Sequence, residues 1–199
     1  MTYEYENELK EQGYSLICGV DEAGRGPLAG PVFAAAVILP EGLEELGIND
    51  SKKLSEKKRE ALFDIITEKA VACSVASADE KEIDSLNILN ATFLAMKRAV
   101  EGLSVRPQIA MIDGNRKPGT GVEEITLVKG DSKSISIAAA SILAKVSRDR
   151  YLKELDRQFP QYQFSKHKGY PTKLHYELIK KYGISPVHRL SFLKNLSEK

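Results

Sequence analysis

The sequence predicts an α/β core followed by a helical C-terminal extension, and three observations carry that expectation. Short apolar runs with strand character fall at 16–20, 32–39, 71–78, 109–112 and 125–129. Stretches with helical periodicity alternate with them between residues 56 and 101. From residue 134 onward the pattern is helical, so the strands are confined to the first two thirds of the chain. A chain of 199 residues suits one domain with a sizeable core. A catalytic core over 1–158 and a helical extension over 159–199 are expected to form the same structural unit.

The elements follow in order. Leu16 to Val20 reads as a buried strand that ends at Asp21-Glu22, and a loop rich in Gly and Pro follows from Ala23 to Pro31. Val32 to Leu39 is the second strand, closed by a Pro40-Glu41-Gly42 turn. Ser55 caps a helix over 56–69, where Leu62, Ile65, Ile66 and Lys69 keep helical spacing. Val71 to Ala78, rich in small and β-branched residues, is the third strand. Leu89, Phe93, Met96 and Val100 recur at i, i+4, i+7 and i+11, which predicts an amphipathic helix over 90–101. Ile109 to Ile112 and Ile125 to Lys129 are short strands running into Asp113-Gly114 and Gly130-Asp131. A long helix over 134–158 is Ala-rich and then charged, and Pro160 ends it. One shorter helix runs from Thr172 to Tyr182 and stops at Gly183. Another is expected to start at Ser185-Pro186, a cap with Pro at the first helical position.

Composition excludes several classes. Hydrophobic residues at 42% and charged residues at 29% are ordinary for a globular protein. The longest apolar run, Val32 to Leu39, is far too short to span a bilayer. The polar, acidic first ten residues lack the basic and apolar regions of an export signal, so a cytoplasmic protein away from membranes is expected. Cys18 and Cys73 lack metal-type spacing and read as reduced core thiols. No repeat or low-complexity stretch suggests a solenoid or a linker. The net charge of +1 hides a division. Residues 1–131 hold 15 Lys/Arg against 23 Asp/Glu, and residues 132–199 hold 14 against 5. An acidic part that collects cations beside a basic part that neutralises phosphates suits a metal-using enzyme on a polyanion. Solvated helix faces explain the same division equally well.

Three apolar strands each end on an acid: Asp21-Glu22, Asp113, and Asp131 after Gly130. Ligands of open α/β sheets bind where loops leave the strand ends, so four carboxylates could converge on one crevice. Together they would repel one another and need a cation. Oxygen ligands with no nearby His or Cys select a hard ion, Mg²⁺ or Mn²⁺. Taken singly, each acid also has a structural reading: Asp113-Gly114 is a turn signal, and Asp131 is a natural cap for the long helix. Asp21-Glu22 is the exception, because adjacent acids at the end of a buried strand are costly without a cation.

The run Asp21-Glu22-Ala23-Gly24-Arg25-Gly26-Pro27-Leu28-Ala29-Gly30-Pro31 resembles the signature of the ribonuclease HII family. Later segments resemble that family in its order: Asp50-Ser51-Lys52-Lys53-Leu54-Ser55, Ile112-Asp113-Gly114-Asn115, Lys129-Gly130-Asp131, Ala140 to Val146 with Arg148-Asp149, and His167 to Thr172. The resemblance implies a ribonuclease H-like mixed central sheet flanked by helices. It implies a metal-dependent endoribonuclease that hydrolyses the RNA strand of RNA/DNA hybrids. Such an enzyme also cuts 5′ of single ribonucleotides in duplex DNA, with two Mn²⁺ or Mg²⁺ ions during catalysis. Asp21, Glu22, Asp113 and Asp131 would then be the catalytic, metal-holding acids. Gly24, Arg25 and Gly26 would contact the backbone around the 2′-hydroxyl, which only RNA offers, and Tyr170 would stack on the neighbouring deoxyribose.

Among the basic residues, Lys52, Lys145 and Arg148 are expected on phosphates, with Lys53, Lys166 and Lys168 beside the same motifs. Lys180 and Lys181 read as a solvated helix face. His167, His175 and His188 lack metal-ligand spacing and are expected in loops or helices, at most touching substrate. The partners are therefore RNA/DNA hybrids and ribonucleotide-containing duplexes, for a monomer whose protein partners the sequence does not name. Lys194 to Lys199 reads as a partner-binding or frayed tail. The sister ribonuclease HIII family shares the acids but lacks the Gly-Arg-Gly form and carries an N-terminal domain. The short stretch before the first strand leaves no room for that domain. A nucleic-acid-binding module with structural acids would bind hybrids without turnover, with or without Mg²⁺.

Overall fold

The computed structural model describes residues 2–194. Five strands form one sheet: β1 (Ile17–Ala23), β2 (Val32–Ile38), β3 (Ala72–Ala78), β4 (Ile109–Asp113) and β5 (Glu123–Leu127). Their order is β3-β2-β1-β4-β5. The first three strands pair antiparallel, and β1-β4 and β4-β5 pair parallel, so the sheet is mixed.

The helices cover both faces. Beyond α1 (Glu4–Glu11) these are α2 (Glu56–Lys69), α3 (Glu80–Leu86), α4 (Ile88–Glu101), α5 (Ile135–Gln158), the one-turn α6 (Phe164–His167) and α7 (Lys173–Tyr182). Alternate residues of the central strands face opposite ways. Cys18, Val20, Ala34 and Ala36 pack with Ala95, Met96 and Val100 of α4. Ala35 and Val37 pack with Ile135, Ala138, Ala139 and Ile142 of α5 and with Leu62 and Ile66 of α2. A sheet covered on both faces needs continuous apolar strands, which is why these runs showed no polar alternation. A smaller cluster of Leu152, Leu155, Tyr162, Phe164 and Leu178 joins the end of α5 to the C-terminal helices. Cys18 and Cys73 are free thiols, and burial pushes Cys18 up to about 12. No helix among the described residues is long and apolar enough to cross a membrane.

Small residues set the spacing between α5 and the sheet. A Cβ placed on Gly19 would lie 2.2 Å from the main-chain carbon of Ser136 and 2.3 Å from the nitrogen of Ile137. Backbone therefore rests on backbone there. Glu6 of α1 secures the same turn of α5, accepting from the Ser134 hydroxyl at 2.7 Å and the Ser136 N–H at 3.0 Å. A carboxylate at a helix N-terminus is favoured by the exposed amides and the helix dipole.

Several boundaries differ from expectation. β1 continues three residues past Val20, because β2 goes on pairing with it through Ala23↔Phe33. β5 starts two residues early and ends at Leu127, and Val128, 58% exposed, has left the sheet. The helices α1, α3 and α6 were not foreseen; α3 is fixed by a capping box between Asp79 and Glu82. The helix expected from Ser185-Pro186 does not form. Its cap is spent locally, since the Ser185 N–H and hydroxyl both lie on His188 Nδ1, and the chain then bridges Ala29↔His188. Among the described residues only a 3₁₀ turn, Leu190–Phe192, follows. Of the Lys194–Lys199 tail, all but the first residue lies outside the described residues.

Gly19→Ala should cost on the order of 3 kcal/mol, because the new methyl meets main chain that has no rotamer to yield. Urea unfolding measures it. A variant as stable as the parent would show that α5 has slack above β1.

Candidate active site

The parallel pairing of β1 with β4 stops at Val20↔Ile112, so Asp21 and Asp113 come next on adjacent strands. Asp131 arrives from a different direction. Lys129 takes the left-handed conformation at φ 57°, and Gly130–Ser132 form a 3₁₀ turn before α5. The Gly130 N–H donates to Asp113 Oδ1 at 2.6 Å. A Cβ at 130 would meet the Ile137 Cδ1 methyl at 2.6 Å and the Leu127 Cβ at 3.1 Å, so the turn packs closely against both. Asp21, Asp113 and Asp131 each offer an oxygen, and these atoms lie within 4.8 Å of one another.

Glu22 is not in that set. Strand alternation turns it to the opposite face of β1. There it borders a cleft of about 280 Å³ with Arg25, Asp113 and Asn115, backed by Phe93 and Met96. Arg25 Nη1 stands 3.4 Å from Glu22 Oε1. Asp113 belongs to both the cluster and the cleft.

Like charge and burial shape the titration of the acids. Asp21 is 4% exposed, and burial first, then Glu22 and Asp113, hold its carboxyl well above the usual range. Burial also raises Asp113, against the opposing Gly130 amide, and the nearby Asp131 charge adds to the rise. Burial raises Glu22 although Arg25 pulls the other way. Lys52 reaches in from the 3₁₀ turn Ser51–Lys53, its Nζ 3.5 Å from Asp131 Oδ2. Partial burial lowers Lys52, but Asp131, Asp21 and Asp50 outweigh it and the net shift is upward. The Ser51 and Ser141 hydroxyls, 2.7 Å apart, tie that turn to α5. Three oxygen donors, strained by mutual repulsion, fit a hard divalent cation.

Beside the acids, Arg25 and Gly26 are exposed next to Tyr170, and Gly24 is buried behind them. Gly24, at φ +100°, sits directly above the Arg148 guanidinium, where a Cβ would meet Nε at 2.1 Å. A Cβ on Gly26 would stand 3.7 Å from Tyr170 Cε1, and the Tyr170 ring is 42% exposed. Loop and ring thus form one exposed surface.

The structure corrects one phosphate-contact expectation, that of Arg148. Arg148 is 1% exposed and donates to the carbonyls of Pro31, Lys168 and Ala29, at 3.4, 3.1 and 3.3 Å. It is a prop under the loop, spent on main chain. Lys145, half-buried, pairs with the buried Asp149 at 2.7 Å one turn along the same helix. Lys52 alone of the three reaches the acids.

The histidines lie where loop or helix residues were expected, His167 in α6, His175 in α7 and His188 on the bridge to Ala29, and all three are buried. Their tautomers follow from their partners. His188 Nδ1 accepts the Ser185 N–H at 3.0 Å, so its Nε2 carries the proton and donates to His175 Nε2 at 3.1 Å. His175 Nδ1–H then donates to the Tyr170 carbonyl at 3.0 Å. His167 accepts the Gly169 N–H and donates to the Tyr162 carbonyl. Burial pulls His175 and His188 down to about 4, so the relay is neutral at pH 7. It fixes the main chain that carries Tyr170. No spacing in the sequence could reveal it, because its members meet only through the turn at Ser185.

Comparison with known proteins follows this geometry. The family model described as Ribonuclease HII matches residues 18–195. The ribonuclease HII of Caldicellulosiruptor bescii is 56% identical over 194 residues, covering 98% of this chain and 94% of its own. That of Acetivibrio thermocellus is 58% identical over 191 residues, covering 96% and 75%. Among solved structures, the ribonuclease H2 of Pyrococcus horikoshii OT3 has a TM-score of 0.75 at 30% identity, covering 89% of this chain and 93% of that one. The RNase HII of Archaeoglobus fulgidus, solved in complex with PCNA, has a TM-score of 0.76 at 28% identity, covering 88% and 94%. A Bst-RNase HIII with Mn²⁺ shares the fold at 20% identity and a TM-score of 0.68, covering 87% and 65%.

Asp21→Asn should stabilise the chelated protein near pH 7. A folded-state pKa above the unfolded value stabilises fully only below the unfolded value, and that stability is lost as pH rises through the folded one. Metal-free protein at neutral pH therefore carries a penalty that the neutral amide removes, while its Oδ1 can still accept the Glu22 N–H. The expected gain is about 1 kcal/mol, or roughly 2–4 °C in Tm, vanishing near pH 3. Thermal melts at both pH values check it; destabilisation at pH 7 would show that the charge is not strained.

Proposed function

The chain belongs to the ribonuclease HII family and is a metal-dependent endoribonuclease; on that premise we propose that it cuts duplex nucleic acid on the 5′ side of ribonucleotides. The substrates are RNA/DNA hybrids and DNA duplexes carrying single ribonucleotides. Water attacks phosphorus in line, the bond to the upstream 3′-oxygen breaks, and the products carry a 3′-hydroxyl and a 5′-phosphate. The observation that carries this reading is the continuity of Asp21-Glu22 with Gly24-Arg25-Gly26, which joins an acid cluster to an exposed loop within six residues.

Asp21, Asp113 and Asp131 would hold Mg²⁺ or Mn²⁺, with Glu22 contributing from the cleft side when a second ion binds. Such ions supply positive charge to the scissile phosphate and acidity to the attacking water. The protein supplies position. Gly24 and Gly26 let main chain approach the ribose, so the 2′-hydroxyl is read for recognition and does not attack. The exposed Tyr170 ring stacks on the following deoxyribose, and Lys52 offsets phosphate charge beside Asp131. The C-terminal extension acts with the core as one unit, since its histidine relay sets the ring.

Activity is expected on a single-ribonucleotide duplex with Mg²⁺ or Mn²⁺ and none with chelator. Asp113→Asn should lower kcat by roughly 10²–10³ while the duplex still binds. Cleavage by the fully chelated protein would end the metal reading, and binding without turnover in either ion would favour a binding module.

Tyr170→Ala should lower kcat/KM on that duplex by roughly tenfold to a hundredfold, the size of a lost stacking partner. A uniform hybrid should lose less, and Tyr170→Phe should keep most activity because the ring face makes the contact. Equal losses on both substrates would leave Tyr170 as a packing residue.

A further inference from the structure

Arg189 is a buried cation that no carboxylate pairs. It is fully buried, and among the described residues neither it nor Arg148 has a carboxylate within ion-pair distance. All of its guanidinium hydrogen bonds go to one loop: Nη2 to the Gly24 carbonyl at 2.6 Å, Nη1 to the Arg25 carbonyl at 3.0 Å, and Nε to the Gly30 carbonyl at 2.8 Å. Its own main chain donates to the Leu28 carbonyl at 2.8 Å, and the Gly30 N–H returns to the Val187 carbonyl at 2.9 Å. Asp84 of α3 anchors the next two residues, accepting from the Leu190 and Ser191 N–H groups and the Ser191 hydroxyl. The segment around Arg189 is a strap fastened at both ends.

Peptide geometry gives this contact a consequence on the outer side. No cis peptide occurs among the described residues, and in a trans peptide the C=O and N–H point opposite ways. The Gly24 carbonyl shares its peptide with the Arg25 N–H, and the Arg25 carbonyl shares its peptide with the Gly26 N–H. A guanidinium that draws both carbonyls inward turns both N–H groups outward. Among the described residues neither N–H has an acceptor, and both residues are exposed. Pro27 offers no N–H, so the outward donors end with this pair.

We propose that Arg189 is a positioning residue for substrate discrimination: by holding the Gly24 and Arg25 carbonyls inward, it presents the Arg25 and Gly26 amides as the donors that meet the ribose 2′-oxygen. This rests on the reading of the chain as an enzyme that selects ribonucleotides. Lysine at 189 would keep the charge but could not span three carbonyls at fixed angles.

The test compares the full-length, Mg²⁺-loaded parent with Arg189→Lys. It measures KM and kcat on a single-ribonucleotide duplex, and Ki for the same duplex made wholly of DNA. Arg189→Lys should raise KM about tenfold, the size of one or two net hydrogen bonds, and leave the DNA Ki within about twofold. Leu62→Ala, a core truncation in α2 remote from the loop, controls for lost stability and should spare the ratio of Ki to KM. An unchanged ratio in Arg189→Lys overturns the proposal, as does an equal rise in both constants. A second measurement needs no variant: hydrogen exchange at the Arg25 and Gly26 amides should slow with the ribonucleotide duplex in chelator and not with the DNA duplex. Exchange that ignores the ribose overturns the proposal even if Arg189→Lys does not fold. A parent that cleaves no ribonucleotide substrate would instead remove the underlying reading.

Discussion

The close seat of α5 on β1 is the constraint on which the other features depend. At Gly19 the strand has no side chain, and the first turn of the helix uses that space with its own backbone. The alanines of β2 and α5 continue the same thin layer. A thicker layer would lift the start of α5 and with it Asp131, which sits on the turn just before the helix. Asp21 and Asp113 would still be neighbours, since strand pairing places them, but the third oxygen would be missing. Glu6 and Ser134 reinforce the seat from outside, so α1 contributes to the acid cluster without touching it.

This arrangement collects strain of one sign on each side of the first loop. On one side, three carboxylates approach within 4.8 Å and burial raises the pKa values of Asp21 and Asp113. On the other, Arg148 and Arg189 are buried against carbonyls, and burial lowers them to about 10 and about 9. Both stay charged at neutral pH. The excess of positive charge after residue 131 therefore lies partly inside the protein. Arg148 and Arg189 are internal props, and Lys145 is engaged by Asp149. Equal electrostatic logic governs both sides: a group kept charged where water is scarce favours whatever relieves it.

What the sequence made legible follows from what local chemistry can encode. Strands showed as apolar runs, and α2 showed through the Ser55 cap that the structure uses, whereas α5 is capped by Ser134 and not by Asp131, which lies in the turn before it. Asp21, Asp113 and Asp131 could be picked out because each follows an apolar run. Glu22 could not be separated from them until strand alternation was known to continue past Val20. Arg148 looked like a phosphate ligand because a basic residue in a motif carries no mark of its burial. Ser185-Pro186 looked like a helix start because a capping serine is the same residue whether its partner is a helix amide or an imidazole. Arg189 and the histidine relay had no local signal, since their partners lie up to 165 residues away.

The C-terminal region is better understood as the back of the first loop than as an appendage. Its strap pairs with Ala29, its arginine holds the carbonyls of Gly24, Arg25 and Gly30, and its histidines set Tyr170 against Gly26. Loops seldom hold a surface to ångström precision alone, because ordering each residue costs about 1–2 kcal/mol of backbone entropy. Here that cost is met by buried, directional bonds from rigid neighbours in addition to the apolar seating of Leu28 and Ala29. The difference matters for recognition. Apolar packing would fix where the loop lies, whereas hydrogen bonds to individual carbonyls fix which way each peptide faces, and only the second determines what the loop can donate to a sugar.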